Sequence, residues 1–208
     1  MRTYPKAAAG IAVTGAALIA AVGLAAAPAF AAVTTATVSG SSSTGALTAT
    51  ATSPTLTDST TGTKLTCTSA AATATVANGT HTGGPSIQVG TITGATWNTC
   101  KLNSITFTVT ANTLPWPLSA TDPTTSAGNT NTVLTGITAN LSGLCTATIT
   151  GTVTGYYSNS AHSLVLNAGT LTVSGVGGLC LGLINNGDHV VYAASYVVSP
   201  TTLALNAS

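Results

Sequence analysis

The chain has 208 residues, of which 44% are hydrophobic and only 3% are charged, and its formal net charge is +1. Beyond residue 31 the formally charged side chains are Lys64, Lys101, Asp58, Asp122 and Asp188. So few acids, bases and cations argue against an enzyme, and against nucleic-acid or anionic membrane partners, which need a basic patch. We therefore expect a protein that is not an enzyme and that uses no cofactor.

The first 31 residues (1–31) have the three parts of an export signal. Arg2 and Lys6 form a positive N-terminal region, residues 7–27 are uncharged and apolar, and the Ala-Phe-Ala segment 29–31 resembles a cleavage site. A retained transmembrane anchor is the alternative, since about 20 apolar residues span a bilayer. The Ala/Gly-rich composition and the cleavage site favour a signal peptide. We expect a mature protein without a transmembrane anchor that is secreted, and extracellular or loosely associated with the cell surface.

Residues 32–62 are rich in Ser, Thr and Ala. Such a segment forms either a flexible lead-in or edge strands of a sheet. We favour edge strands, at 33–39 and 46–52.

Residues 63–208 show the period-two alternation of half-buried strands. Residues 104–110 place three apolar side chains on one face and four hydroxyl side chains on the other, and residues 146–154 alternate in the same way. Clusters of Gly, Asn and Pro separate such segments as turns. Further strands are predicted at 63–68, 71–77, 86–93, 132–141, 163–167, 170–175, 189–199 and 201–206.

Four cysteines lie beyond the export signal: Cys67, Cys100, Cys145 and Cys180. An even number in an exported chain indicates disulfides, and the spacings are too wide for the close pairs of a zinc site, so we expect no metal. Three pairings are possible. The similar Thr-rich segments that follow Cys67 and Cys145 favour two stapled halves, Cys67–Cys100 and Cys145–Cys180. Short antiparallel strands with one staple in each half predict an all-β fold over 63–208, either a β-sandwich or a jelly-roll-like barrel.

Trp116 lies between two prolines and is the candidate surface-contact residue. A rigid Pro-Trp-Pro bend could present the indole for stacking on a sugar or a hydrocarbon. Alternatively, the bend is a corner at the end of a strand whose indole fills the core. We favour the core position.

Several motifs between residues 60 and 200 carry a family resemblance. They are Cys67, Trp97 to Cys100, Leu114-Pro115-Trp116-Pro117-Leu118, Gly136-Ile137-Thr138-Ala139, Cys145 with the following TATITG, and Gly187-Asp188. With these motifs the chain resembles a family of secreted actinobacterial proteins with a Cys-stapled, Thr/Ala/Gly-rich β pattern. It is also distantly similar to exported proteins named as activators of alkane oxidation. The resemblance implies an exported all-β protein, without catalytic residues to carry over, that acts where cells meet hydrophobic material.

Two functions remain after catalysis is set aside. The first is a non-catalytic secreted surface or matrix protein that self-associates or contacts hydrophobic material. A surface with so few charges repels neither a second copy of the protein nor a hydrophobic surface. The second is a carrier of a small apolar ligand. A carrier needs an apolar pocket of about 300 Å³ or more, so the interior of the protein discriminates between them.

Overall fold

The computed structural model describes residues 32–208, and the predicted signal peptide lies outside the described residues. The described chain is all-β, with antiparallel strand pairing as predicted. The strands are β1 (Thr35–Ser39), β2 (Ala46–Thr52), β3 (Thr55–Asp58), β4 (Lys64–Thr66), β5 (Ser69–Val76), β6 (Gly79–Thr82), β7 (Ile87–Asn98), β8 (Cys100–Leu102), β9 (Ile105–Asn112), β10 (Trp116–Ala120), β11 (Asn129–Ser142), β12 (Cys145–Ser158), β13 (Ser163–Gly178), β14 (His189–Ser199) and β15 (Ala204–Ala207). Between residues 32 and 208 we find no helix with the length and hydropathy to cross a membrane.

Twelve of the strands form one antiparallel sheet that closes on itself. The long strands β11 to β14 are shared by both ends of this closed sheet. At one end β2, β5, β7 and β10 complete the circuit, and at the other end β3, β4, β8 and β9 complete it. Each of the twelve strands therefore has a hydrogen-bonded neighbour on both sides, which protects the sheet from edge-to-edge pairing. Of the two predicted architectures, the closed sheet corresponds to the barrel-like one.

The other three strands form a small terminal sheet in the order β15-β1-β6. The terminal sheet packs on the end of the closed sheet that holds the turn between β12 and β13. Asn159 in that turn donates to the Leu205 carbonyl (2.9 Å), and the Tyr157 hydroxyl donates to the Leu203 carbonyl (2.9 Å). The terminal sheet therefore covers one end of the closed sheet and leaves the other end to loops.

The segment 32–62 forms strands where the sequence predicts them, at 35–39 and 46–52, but these are not edge strands. β1 is the middle strand of the terminal sheet, and β2 lies between β14 and β5 in the closed sheet. The physical reason is that this segment contributes apolar side chains to the core. Buried side chains of the segment are Ala36, Val38, Leu47 and Ala51. The domain therefore includes residues 32–62 as well as 63–208.

Strand alternation builds the interior as predicted. In β12 the side chains of Ala147, Ile149 and Val153 are buried, and threonines occupy the intervening outward positions. Gly155 marks a register shift between β12 and β13. There the backbone of β13 lies so close that a Cβ at Gly155 would overlap the Val165 carbonyl, so only glycine fits.

The disulfides join Cys67 to Cys100 and Cys145 to Cys180, which confirms the sequential pairing. All four cysteines are buried. Cys67–Cys100 ties the segment before β5 to β8, and Cys145–Cys180 ties the start of β12 to the loop that follows β13. Each half of the chain is therefore stapled to itself.

Candidate functional site

Trp116 lies in the core and is not available for surface contact. It is 4% exposed, and its indole N–H donates to the Asn112 carbonyl (3.0 Å). The Pro-rich corner begins β10, which pairs with both β7 and β11. Because β7 and β11 hold the Pro-rich corner on both sides, the Trp116 indole fills space between the strands. This is the core position that the sequence favours. Any contact with an external surface must therefore involve residues other than Trp116.

Three exposed leucines gather at the end of the closed sheet that the terminal sheet does not cover. Leu144 is 67% exposed in the turn between β11 and β12, and Leu179 (67%) and Leu181 (78%) lie in the loop after β13. Large apolar side chains are seldom left so exposed in neighbouring positions of a monomeric protein. We call Leu144, Leu179 and Leu181 the leucine tip.

The second disulfide holds the leucine tip together. Leu144 immediately precedes Cys145, while Leu179 and Leu181 flank Cys180. In addition, the Leu179 N–H donates to the Leu144 carbonyl (2.9 Å). The three leucines are therefore fixed at one place by a covalent bond and a backbone hydrogen bond.

The loop after Leu181 returns to the core. Leu181 has φ of 52°, in the left-handed region that residues with a side chain rarely adopt. The Leu183 N–H then donates to the Cys180 carbonyl (2.9 Å), and Ile184 is buried. This tight turn lets the chain anchor Ile184 while Leu181 stays in solvent.

The aspartates Asp58 and Asp188 are buried and fasten turns. Asp188 Oδ2 accepts the Asn185 N–H (2.7 Å), and Asp58 Oδ1 accepts the N–H groups of Thr60 (2.7 Å) and Thr61 (3.0 Å). Burial acts to raise the pKa of Asp58, but the N–H bonds from Thr61 and Thr60, together with the neighbouring Asp188 and the Thr61 hydroxyl, outweigh it, so the pKa lies below its usual value. Asp58 therefore uses Oδ1 to hold its turn, while its Oδ2 is buried without a hydrogen-bond partner.

The interior of the closed sheet holds an apolar cavity of about 150 Å³. One wall is a row of alanines, Ala49 on β2, Ala72 on β5 and Ala95 on β7, which are direct register partners across the three strands. Leu and Ile side chains of β11 to β13 line the opposite wall. Because three adjacent inward positions carry only a methyl group, the facing side chains do not reach across the interior.

Aromatic residues at the cavity bond to one another. The Trp97 indole N–H donates to the Tyr192 hydroxyl (3.0 Å), the Tyr192 and Tyr196 hydroxyls share a hydrogen bond (2.7 Å), and the ring of Trp97 meets that of Tyr192 edge-on. Burial raises the pKa of both tyrosines above the usual value for a phenol. The indole N–H and both hydroxyl oxygens are therefore paired, while one of the two hydroxyl hydrogens has no acceptor in this group.

The sequence did not identify the leucine tip or the cavity, although one signal for the tip is present. Both cysteines of the second disulfide stand in the tripeptide Gly-Leu-Cys, at 143–145 and 178–180, whereas Cys67 and Cys100 do not. A leucine repeated between a glycine and a disulfide-bonded cysteine indicates a turn in which the leucine side chain is exposed.

Among residues 32–208, no group of three or more His, Cys, Asp or Glu side chains is arranged to hold a metal ion. No family model, curated protein or solved structure matches this chain. The family resemblance therefore stays a prediction, and the function has to be argued from the leucine tip and the cavity.

Proposed function

We propose that the protein is a non-catalytic surface or matrix protein outside the cell, and that it contacts hydrophobic material through the leucine tip. The observation that carries this proposal is the exposure of three leucines at one disulfide-bound place. Two buried disulfides also fit an oxidising compartment, as the predicted export signal requires.

The energy available at the tip is sufficient for adsorption. Complete burial of a leucine side chain contributes about 1.5–3 kcal/mol. Because each of the three is about two-thirds exposed or more, transfer of the tip onto an apolar surface contributes about 3–6 kcal/mol in total. Preformed geometry also reduces the entropy lost on binding.

The predicted function includes self-association or contact with hydrophobic material, and self-association through strand edges has the weaker support. The closed sheet pairs its own strands, so edges remain only in the terminal sheet within the described residues. On β15, the Ala207 N–H donates to the Thr124 hydroxyl (2.7 Å) and the Ala207 carbonyl accepts the Thr124 N–H (2.8 Å). Part of that edge is thus occupied. Contact with a hydrophobic surface therefore ranks first.

The carrier function ranks below surface contact. The cavity of about 150 Å³ is half of the volume that we set for a carrier. A ligand of drug size does not fit it without expansion of the closed sheet.

The test is adsorption of the purified protein to hydrophobic and hydrophilic particles, with light scattering to follow its size. The variant replaces Leu144, Leu179 and Leu181 by Ser. The matched control is Val197→Ser, since Val197 is 59% exposed but lies on β14 away from the tip. We expect the protein and the control to bind hydrophobic particles, and the triple variant to bind about 10²–10⁴-fold more weakly. Equal binding by all three proteins would refute the proposed contact site.

A further inference from the structure

We propose that the interior cavity is a binding site for one small, uncharged, apolar molecule of about the size of benzene. This inference goes beyond the surface contact proposed above and does not depend on it. The cavity and the leucine tip share no residue.

The first argument is volume. The cavity measures about 150 Å³. An engineered apolar cavity of about this size stays dry in another protein and binds benzene or xenon. The volume therefore admits a single small ring or a short hydrocarbon.

The second argument is the origin of the space. Ala49, Ala72 and Ala95 stand side by side in the register of β2, β5 and β7. Ala49 and Ala72 point inward, since they alternate with outward threonines and alanines, yet both are only partly buried. Their residual exposure is toward the unfilled interior. The cavity is thus built into three adjacent strands and is not a local irregularity of one loop.

The third argument is chemistry. A buried water needs about two to four polar partners. The hydroxyls of Tyr192 and Tyr196 and the indole N–H of Trp97 already bond to one another, and the Tyr157 hydroxyl bonds to the Leu203 carbonyl (2.9 Å). Because the Tyr192 and Tyr196 hydroxyls share one bond, a single hydroxyl hydrogen remains without an acceptor, which is fewer partners than a buried water needs. The walls therefore favour an apolar molecule over water.

The test is the thermal unfolding midpoint of the protein with increasing benzene, because a ligand that binds only the folded state raises it. We expect a saturable rise with benzene. Ala72→Leu, which fills the space, should abolish the response to benzene. Ala71→Leu places the same side chain on the outer face of β5 and should preserve it.

A response that is absent in the unmodified protein, or that persists in Ala72→Leu, would overturn the proposal. If Ala72→Leu does not fold, a crystal of the unmodified protein under xenon pressure decides. Xenon density beside Ala49 and Ala72 supports the site, and xenon only elsewhere contradicts it. The triple leucine-tip variant should keep the benzene response, so failure of the surface contact and failure of the cavity site are distinguishable.

Discussion

Filling the interior cavity should stabilise the protein. Ala72→Leu adds three carbon atoms to the wall of a cavity of about 150 Å³. Their burial contributes about 2.4 kcal/mol at about 0.8 kcal/mol per carbon, and ordering a leucine side chain costs about 0.5–1 kcal/mol. The net gain is about 1.5–2 kcal/mol. Filling the whole cavity would contribute at most about 3.6 kcal/mol, at about 24 cal/mol per Å³ of cavity volume. The net gain from one leucine lies below this limit.

The assay is urea unfolding followed by circular dichroism, supported by the thermal midpoint. For a domain of this size we expect a rise of about 3–8 °C for Ala72→Leu, whereas Ala71→Leu, on the outer face, should change stability by less than about 0.5 kcal/mol. If Ala72→Leu instead destabilises the protein by more than about 1 kcal/mol, the leucine overpacks the space beside Ala72. That result would refute the predicted stabilisation, and xenon density in the unmodified protein would then decide whether the ligand site exists.

Three further predictions concern the disulfide, the tyrosines and the buried carboxylate. Replacing Cys145 and Cys180 by Ser opens a loop of 35 residues. The free energy of unfolding, measured in urea, should fall by about 4 kcal/mol, and a fall of less than about 1 kcal/mol would contradict the stabilising role of this disulfide. Burial raises the pKa of Tyr192 and Tyr196, so their stabilising contribution is complete below the unfolded value of about 10 and is lost at higher pH. Phenolate absorbance should therefore appear together with unfolding, and phenolate formation in the folded protein would contradict this. The pKa of Asp58 is lowered, so its contribution is present above about pH 4 and is lost as the pH falls further; Asp58→Asn should unfold with a weaker dependence on acid, and an unchanged acid profile would exclude this role.

Two of the predicted strands have the observed bounds. β2 (Ala46–Thr52) and β14 (His189–Ser199) have the bounds that the sequence predicts. The short strands β3, β6, β8 and β10 were missed, because three to five residues are too few to show a period. β10 also contains Pro117, which lacks the N–H that a strand usually donates.

One turn signal proved to be a bulge. The Asn-Ala-Gly segment 167–169 predicts a break between two strands, but β13 continues through it as a strand of 16 residues. The pairing of β13 with β14 shifts register between Leu166 and Leu171, and Gly169 has φ of 138°. Glycine here permits a close approach to β12, where a Cβ would overlap the Thr152 carbonyl. Composition alone does not separate a turn from a bulge, because glycine serves both.

The candidate sites depend on closure of the sheet, which local patterns do not encode. Closure joins β7 to β10 and β9 to β11, and it brings the alanine row to face the long strands. It also places the two Gly-Leu-Cys segments together at one end through Cys145–Cys180. Trp116 is the candidate surface-contact residue in the sequence, yet the pairing of β10 on both sides buries it. Ordinary leucines beside a cystine provide the exposed surface instead.

Hydrogen exchange of the protein adsorbed to hydrophobic beads tests the central claim most directly. Surface contact through the leucine tip predicts that backbone amides in residues 142–146 and 177–185 become protected, while the terminal sheet exchanges as it does in solution. Protection that is confined to the terminal sheet, or a general loss of protection that signals unfolding on the beads, would contradict the account.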